Sequence, residues 1–328
     1  RAPSLCFRGF LRARAGALPV SARILHARDL PRGDRSERCD VVVCGGGAGG
    51  SMAARELARA GLEVILLEEG GDHLPADFTQ REDEMIPELF QDMGGRHTED
   101  LAVLILSGRG LGGSTVHNTN LCKRVAPEIL ARWRDEHGLA GLSDAALAPL
   151  FAEVEQLLSV TQIPEPRVNV ANRIFQRGLE RLGFRGGRLS HNRDERCVGS
   201  GFCELGCSYD GKLNARRILV PQAVAAGATV YTDTRVDKFR VERGELREVR
   251  ATMMDAQGNA RGTLSVRARA LCLAGSAIGS VAIALRSELH DPHAQIGRAL
   301  HIHPGAAVAG VFDERVDAWR GIPQSVEC

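Results

Sequence analysis

Three glycines near the amino end of the chain have the spacing that points most directly to a chemical task. Gly45, Gly47 and Gly50 follow the pattern G-x-G-x-x-G, in which the missing side chains let the backbone approach a pyrophosphate closely. The spacing is a weak signal by itself, because many glycine-rich turns are purely structural. Glu68 follows 23 residues after Gly45, and an acidic residue at about that distance binds a ribose hydroxyl in dinucleotide-binding domains.

A strand, a helix and a second strand must position these residues. Residues 40–44 form a short apolar run typical of a buried parallel strand, and the Ala- and Leu-rich residues 51–60 predict a helix that ends at Gly61. Residues 63–67 predict the next strand, which ends at Glu68. The glycine turn then lies at the carboxyl edge of a parallel sheet and faces a helix N-terminus, so the sequence predicts dinucleotide binding.

Two further features favour FAD over NAD as the dinucleotide. A second turn of small residues, 112–115, follows a strand-like run at 101–106, and such a turn lets the backbone approach a bulky ring system. Residues 234–268 alternate in polarity and are interrupted by turn signals, which predicts a three-stranded β-meander. A nicotinamide Rossmann domain would continue with alternating strands and helices instead.

Composition narrows the class of protein. The 328 residues are 44% hydrophobic and 25% charged, which is typical of a globular chain. Lys and Arg number 42 against 41 Asp and Glu, so we expect no nucleic-acid partner recruited by bulk charge. No run reaches the roughly 18 apolar residues of a membrane helix, so we expect no integral membrane segment. Nine cysteines without a secretory segment predict reduced thiols and a cytoplasmic location.

Four segments resemble, in the same order, motifs of the glucose-methanol-choline (GMC) oxidoreductase family. Within that family, the resemblance is closest to choline-dehydrogenase-like and long-chain-alcohol-oxidase-like members. The chain departs from the family pattern at His117, Val281 and Glu288, where an aliphatic residue, proline and glycine are usual. The four segments are residues 40–50 followed by Glu68-Glu69-Gly70, residues 108–118, residues 274–287 and residues 297–304.

The resemblance implies a role for each matching residue in binding FAD. It places one group at the pyrophosphate and adenosine ribose, a second beside the flavin, and a third at the adenine and near the ribose. The group at the pyrophosphate and adenosine ribose is Gly45, Gly47, Gly50 and Glu68. The group beside the flavin is Gly112, Gly113, Ser114 and Asn118. The third group is the backbone of Val236, at the adenine, together with Gly275, near the ribose.

The resemblance also implies an activity. Family members oxidise the CH–OH group of a small-molecule alcohol, passing hydride to flavin N5 while a histidine base takes the hydroxyl proton. An electron acceptor such as oxygen, a quinone or a cytochrome is then expected. In the family that histidine lies near the carboxyl terminus of a considerably longer chain, so we assign no catalytic residue and no metal ligand here.

The fold class expected from these patterns is α/β. It comprises a Rossmann-like FAD-binding domain of the glutathione-reductase type with a three-stranded meander, and the start of a second, substrate domain. Residues 1–38 are expected to form a disordered basic leader. Residues 39–300 would form the FAD-binding domain, with a helical insert at about 125–215, and residues 301–328 would begin the truncated substrate domain.

Three cysteines leave other interpretations open. Cys197, Cys203 and Cys207 lie in a glycine-rich polar segment, where thiolates could converge on iron or zinc, although most free cysteines are small packing residues. One alternative function is another FAD flavoprotein, similar to a ketosteroid dehydrogenase. The other is a non-catalytic flavin or electron-transfer protein with a cysteine-bound cluster.

Overall fold

A parallel five-stranded sheet forms the centre of the larger of the two compact units of the chain. The structure, a computed structural model, describes residues 23–303, 305, 307–318 and 320–328. All neighbouring strands of this sheet are parallel. Its three central strands are buried along their whole length, and two of them, Val41–Cys44 and Val64–Leu67, have the continuous apolar sequence typical of a parallel strand that is covered on both faces. In spatial order the strands are β1 (Arg23–His26), β8 (Thr229–Thr232), β4 (Val64–Leu67), β3 (Val41–Cys44) and β12 (Ala270–Leu273).

A second, four-stranded sheet packs against one face of the first. Three of its strands form the antiparallel meander that the sequence predicted, and the fourth pairs in parallel with the last of them. Val42 and Leu67 from the first sheet share a buried core with Val249 and Leu264 from the second. In spatial order the strands are β2 (Arg35–Arg38), β11 (Ala260–Arg267), β10 (Glu245–Met254) and β9 (Thr234–Glu242).

Helices cover the other face of the parallel sheet. The small side chains Ala54 and Ala58 on the first helix and Ala223 on another pack with Val43 and Leu66 of the sheet. Residues 82–89 also form a helix, which the sequence analysis did not predict. The helices of this unit are α1 (Ala48–Arg59), α2 (Glu82–Leu89), α6 (Ala215–Ala225) and α7 (Ser276–Arg286).

The smaller unit consists, within the described part of the chain, of residues 118–213 and 309–328. The helical insert expected at about 125–215 contains three helices, and the side chains of Ser143 and Asn169 accept the capping hydrogen bonds of the second and third. Two short antiparallel strand pairs complete the unit: Val160–Gln162 with Ser190–Asn192, and Gly187–Arg188 with Val326–Glu327. Its elements are α3 (Pro127–His137), α4 (Asp144–Leu157), β5 (Val160–Gln162), α5 (Val170–Leu182), β6 (Gly187–Arg188), β7 (Ser190–Asn192) and β13 (Val326–Glu327).

Two expectations need correction. Residues 23–38, assigned to a disordered leader, contain β1 and β2; both strands are short, and they pair with β8 and β11 far along the chain. The remaining leader residues, 1–22, lie outside the described residues. The run at 101–106 is not a strand, since only Leu104 makes an isolated bridge, to His97. None of the helices in the described ranges has the length and apolar character needed to cross a membrane.

Candidate dinucleotide site

A cleft of about 500 Å³ opens at the carboxyl ends of β3, β4 and β12. Most of the sequence-predicted cofactor residues line it. Gly50 and Gly112 lie behind the lining, and Asn118 belongs to the smaller unit. The predicted residues that line the cleft are Gly45, Gly47, Glu68, Gly113, Ser114, Val236 and Gly275.

The first glycine turn requires glycine at two positions for packing and leaves the third open towards the cleft. Gly45 has φ +107°, and a Cβ there would overlap the carbonyl oxygen of Ala274. A Cβ at Gly50 would overlap the carbonyl oxygen of Gly45, so this residue permits close helix–strand packing. A Cβ at Gly47 would meet only Gly113 Cα, at 3.9 Å. Gly47 therefore borders open space of the kind a ligand would fill.

The N-terminus of α1 supplies hydrogen-bond donors to this space. Gly47 is the N-cap residue and makes no side-chain capping bond, and the first turn contains no acidic residue. The residues that follow, Ala48 and Gly49, also line the cleft. The first N–H groups of a helix have no intrahelical acceptor, and the helix dipole is positive at this end. This end of the cleft thus suits an anionic group such as a pyrophosphate.

Glu68 ties three glycine segments together. Its side chain is only 6% exposed, and Oε2 accepts the Gly46 N–H at 2.7 Å while Oε1 accepts those of Gly70 at 2.9 Å and Gly110 at 3.1 Å. Burial raises the pKa of Glu68, and the three N–H bonds oppose that rise. Oε2 accepts one bond from the described residues, and a carboxylate oxygen has capacity for a second. The sequence predicted an acidic residue at this position. It did not predict that this residue acts as a brace, accepting hydrogen bonds that hold three glycine segments together. The only sequence features that could have indicated this role are Gly70 and Gly110.

The second glycine turn packs directly on the first. Gly112 has φ +102°, and a Cβ at Gly113 would lie 2.8 Å from Gly47 Cα. The Gly112 N–H donates to the carbonyl oxygen of Gly46 at 2.9 Å. Ser114 Oγ accepts the Gly108 N–H at 2.9 Å. The two glycine-rich turns predicted from sequence therefore form one continuous wall of the cleft.

The opposite wall comes from β9 and α7. Val236 is buried at the start of β9, and its carbonyl oxygen accepts a hydrogen bond from Arg286 Nη2 at 3.3 Å. Arg286 Nε donates to the next carbonyl, of Asp237, at 2.8 Å. Gly275 is the N-cap residue of α7, which ends at Arg286. The sequence analysis gave Arg286 no role, although it lies within the motif-like segment 274–287; it fixes the backbone at the position predicted to face adenine.

His117, one of the positions that depart from the family pattern, is a packing residue of this unit. Its ring is buried, and its centroid lies 3.9 Å from that of Phe90. A Cβ at Gly108 would lie 2.8 Å from His117 Nε2. The imidazole therefore fills the space beneath the second glycine turn.

A larger cleft, of about 970 Å³, lies at the opposite edge of the parallel sheet. Residues that precede the strands line it, among them Asp40 before β3, Glu63 before β4 and Arg269 before β12. Helix N-termini and strand carboxyl ends do not converge at the amino edge of a parallel sheet, where ligands seldom bind. We therefore assign the candidate site to the smaller cleft at the carboxyl edge.

The smaller unit contains Asn118 and the three cysteines. Lys212 is 2% exposed, and its Nζ donates to the carbonyl oxygens of Asn118 and Cys203. Burial lowers the pKa of Lys212 to about 8 and raises that of Cys203. Cys197, Cys203 and Cys207 are partly buried free thiols. Among the residues that the structure describes, no group of three or more His, Cys, Asp or Glu side chains is placed to hold a metal ion.

Comparisons with known proteins agree on the family to which this chain is similar. The GMC oxidoreductase family model matches residues 39–305. An uncharacterized GMC-type oxidoreductase of Mycobacterium tuberculosis is 36% identical over 295 residues, covering 88% of this chain and 45% of that protein. A long-chain-alcohol oxidase of Arabidopsis thaliana is 26% identical over 285 residues, covering 85% and 38%.

A solved structure supports the fold. Pyridoxine 4-oxidase from Mesorbium loti superposes with a TM-score of 0.58 at 19% identity, covering 76% of this chain and 52% of that one. The chain spans less than half the length of the two curated relatives above. The family match covers four of the five strands of the parallel sheet, both glycine turns and the meander. The chain therefore belongs to the GMC oxidoreductase family, and residues 39–305 are its FAD-binding amino-terminal part.

Proposed function

We propose that this chain is the cofactor-binding part of an FAD-dependent oxidoreductase that oxidises the CH–OH groups of alcohols. The observation that carries the proposal is the contact between the two glycine turns, with Gly113 against Gly47 over the N-terminus of α1. That arrangement leaves a donor-lined cleft where a dinucleotide fits without side-chain interference. The similarity to a long-chain-alcohol oxidase supports the alcohol class.

The residues of the larger unit fit FAD. The N–H groups at the start of α1 would hold the pyrophosphate, and the remaining acceptor capacity of Glu68 Oε2 would bind the adenosine ribose. The backbone of Val236, held by Arg286, would face the adenine. Gly113 and Ser114 would border the flavin, as the sequence also predicts for Asn118. When bound, FAD supplies an acceptor for hydride at N5.

Alcohol oxidation also needs a base that takes the hydroxyl proton. His117 packs on Phe90, and we assign it no part in catalysis. We propose a small-molecule alcohol as substrate, oxygen, a quinone or a cytochrome as electron acceptor, and the cytoplasm as location. The FAD-binding domain is proposed to extend over residues 39–300, with residues 301–328 beginning the substrate domain.

The test separates cofactor binding from oxidation. The purified chain is titrated with FAD and, separately, with NAD, and binding of each is followed by isothermal titration calorimetry. We expect one FAD per chain and no NAD. Anaerobic bleaching of flavin by primary, sterol and sugar alcohols is then measured in the protein purified from its own cells. Absence of bleaching with every alcohol would overturn the proposed reaction, and failure to bind FAD would overturn the cofactor site.

A further inference from the structure

A small cavity lies inside the smaller unit. Its volume is about 20 Å³, and a cavity of about 10–15 Å³ or more, measured in this way, holds one water molecule. Four stretches of chain line it: the turn at Asn120, strand β7 at His191, the segment 197–212, and the segment containing Ile322 and Pro323. The segment 197–212 contributes Lys212 and the three cysteines.

Two buried polar atoms at this cavity lack hydrogen-bond partners among the described residues. Asn120 is 4% exposed, and its Oδ1 has no donor. His191 is 2% exposed, and its Nε2 has no partner. The two residues are neighbours, because Leu121 forms a β-bridge with His191. Buried polar atoms are nearly always hydrogen-bonded in native proteins, so two at one cavity indicate a bound molecule.

The chemistry of the ring shows what kind of molecule is required. His191 makes a hydrogen bond to the backbone of Gln324 that favours its protonated form, and burial nevertheless lowers its pKa to about 4. The ring is therefore neutral near pH 7 and carries one hydrogen. Since Nε2 is the unpartnered nitrogen, that hydrogen lies on Nδ1 and points to the Gln324 carbonyl. Nε2 is then an acceptor, as Asn120 Oδ1 is.

Two acceptors cannot satisfy each other, so the cavity needs a molecule with two donors. We propose that one ordered water molecule occupies it, donating one O–H to Asn120 Oδ1 and the other to His191 Nε2. The thiols of Cys203 and Cys207 are weak donors and would not replace it. Through His191 and Gln324, the water links the turn at residue 120 to the segment at 322–324. The Asn120 N–H donates to Asn118 Oδ1 at 3.3 Å, so this link also supports Asn118.

A crystal structure of the FAD-loaded chain, grown without ammonium salts, tests the proposal directly. We expect one density peak at about 2.6–3.2 Å from both Asn120 Oδ1 and His191 Nε2. Ordered side chains with no peak between them would overturn the proposal. A peak bonded to only one of the two atoms, or a cysteine thiol donating to either, would also overturn it.

A double-mutant cycle tests the same bridge in solution. Asn120 has φ +67°, so Asn120→Gly removes the amide without backbone strain, and His191→Phe removes the ring acceptor. Each single variant should lower Tm, and the double variant should lower it by less than the sum, because the first replacement already breaks the bridge. His191→Phe also removes the hydrogen bond to Gln324. Because this loss occurs in both the single and the double variant that lack His191, it cancels in the coupling energy.

The matched control is Ser159→Gly, at an exposed residue with φ +47°. Its effect should add to that of His191→Phe without coupling. Additive shifts for the Asn120 and His191 pair, or coupling as large in the control pair, would contradict a bridging water.

Discussion

The two units build their polar sites in opposite ways. In the larger unit the site is backbone, because glycines at positions 45, 47 and 113 bring chain segments together and a helix N-terminus supplies the donors. In the smaller unit the polar groups are side chains, with Lys212 and His191 almost fully buried. A side chain added at the first kind of site would block the ligand. At the second kind, loss of a hydrogen-bond partner would leave a buried polar group unsatisfied. Substitutions that point into the cleft should therefore affect ligand binding in the larger unit, whereas loss of a buried partner should affect stability in the smaller one.

Gly47→Val should have the largest effect and should affect binding alone. The residue has φ −73°, which valine adopts readily, and its Cβ would enter open space, so the fold should survive. The same side chain would occupy the pyrophosphate position, and we expect FAD affinity to fall at least about 100-fold, or about 2.7 kcal/mol. FAD titration and the Tm of the cofactor-free chain are measured together.

Gly45→Ala is the matched control for that comparison. Its φ of +107° and its overlap with Ala274 predict a clear loss of Tm before any cofactor is added. If Gly47→Val kept its flavin, the phosphates would have to bind elsewhere. If it lost Tm as much as Gly45→Ala does, the open space beside Gly47 would be part of the packing instead.

Glu68→Ala should affect both properties, because this residue is the one buried carboxylate in the backbone-built site. Three N–H groups, of Gly46, Gly70 and Gly110, lose their acceptor. Each charge-assisted hydrogen bond contributes about 1.5–3 kcal/mol, so we expect the free energy of unfolding to fall by a few kcal/mol. FAD affinity should fall as well, through the ribose. Unchanged FAD affinity in a folded variant would contradict the ribose assignment and leave Glu68 as a brace only.

The same contrast explains which parts of the structure could be predicted from sequence. The strand at Val41–Cys44, the turn at Gly45 and the meander are fixed by local sterics and polarity, which are visible in any window of the sequence. Strands β1 and β2 could not be found this way, because they are only four residues long and depend on partners about 200 residues away. The brace role of Glu68 and the buried Lys212 depend likewise on contacts that no local pattern encodes.

Lys212→Met should change how the stability of the smaller unit depends on pH under alkaline conditions. The usual lysine pKa is 10.5, and burial lowers that of Lys212 to about 8. Between these values the unfolded chain keeps a proton that the folded chain has released, so stability rises with pH over this window. Relative to the Met variant, the wild-type chain should gain about 2 kcal/mol between pH 8 and pH 9.5. Urea unfolding at several pH values measures the difference. A difference independent of pH would mean that Lys212 titrates normally.

The smallest expected effect is the acid response of His191. Burial and the nearby charges of Arg193 and Lys212 lower its pKa from 6.5 to about 4. The unfolded chain therefore takes up a proton first as the pH falls, and the folded state loses stability from about pH 6.5 down to pH 4. At pH 5.5 the loss should be about 1 kcal/mol, and it should be absent in His191→Phe. Because other groups titrate in both chains, the quantity to measure is the difference in the free energy of unfolding between wild type and variant at pH 7 and pH 5.5. A difference that does not narrow at pH 5.5 would show that the imidazole is solvated. The smaller unit would then have no dry polar interior to contrast with the glycine-built cleft.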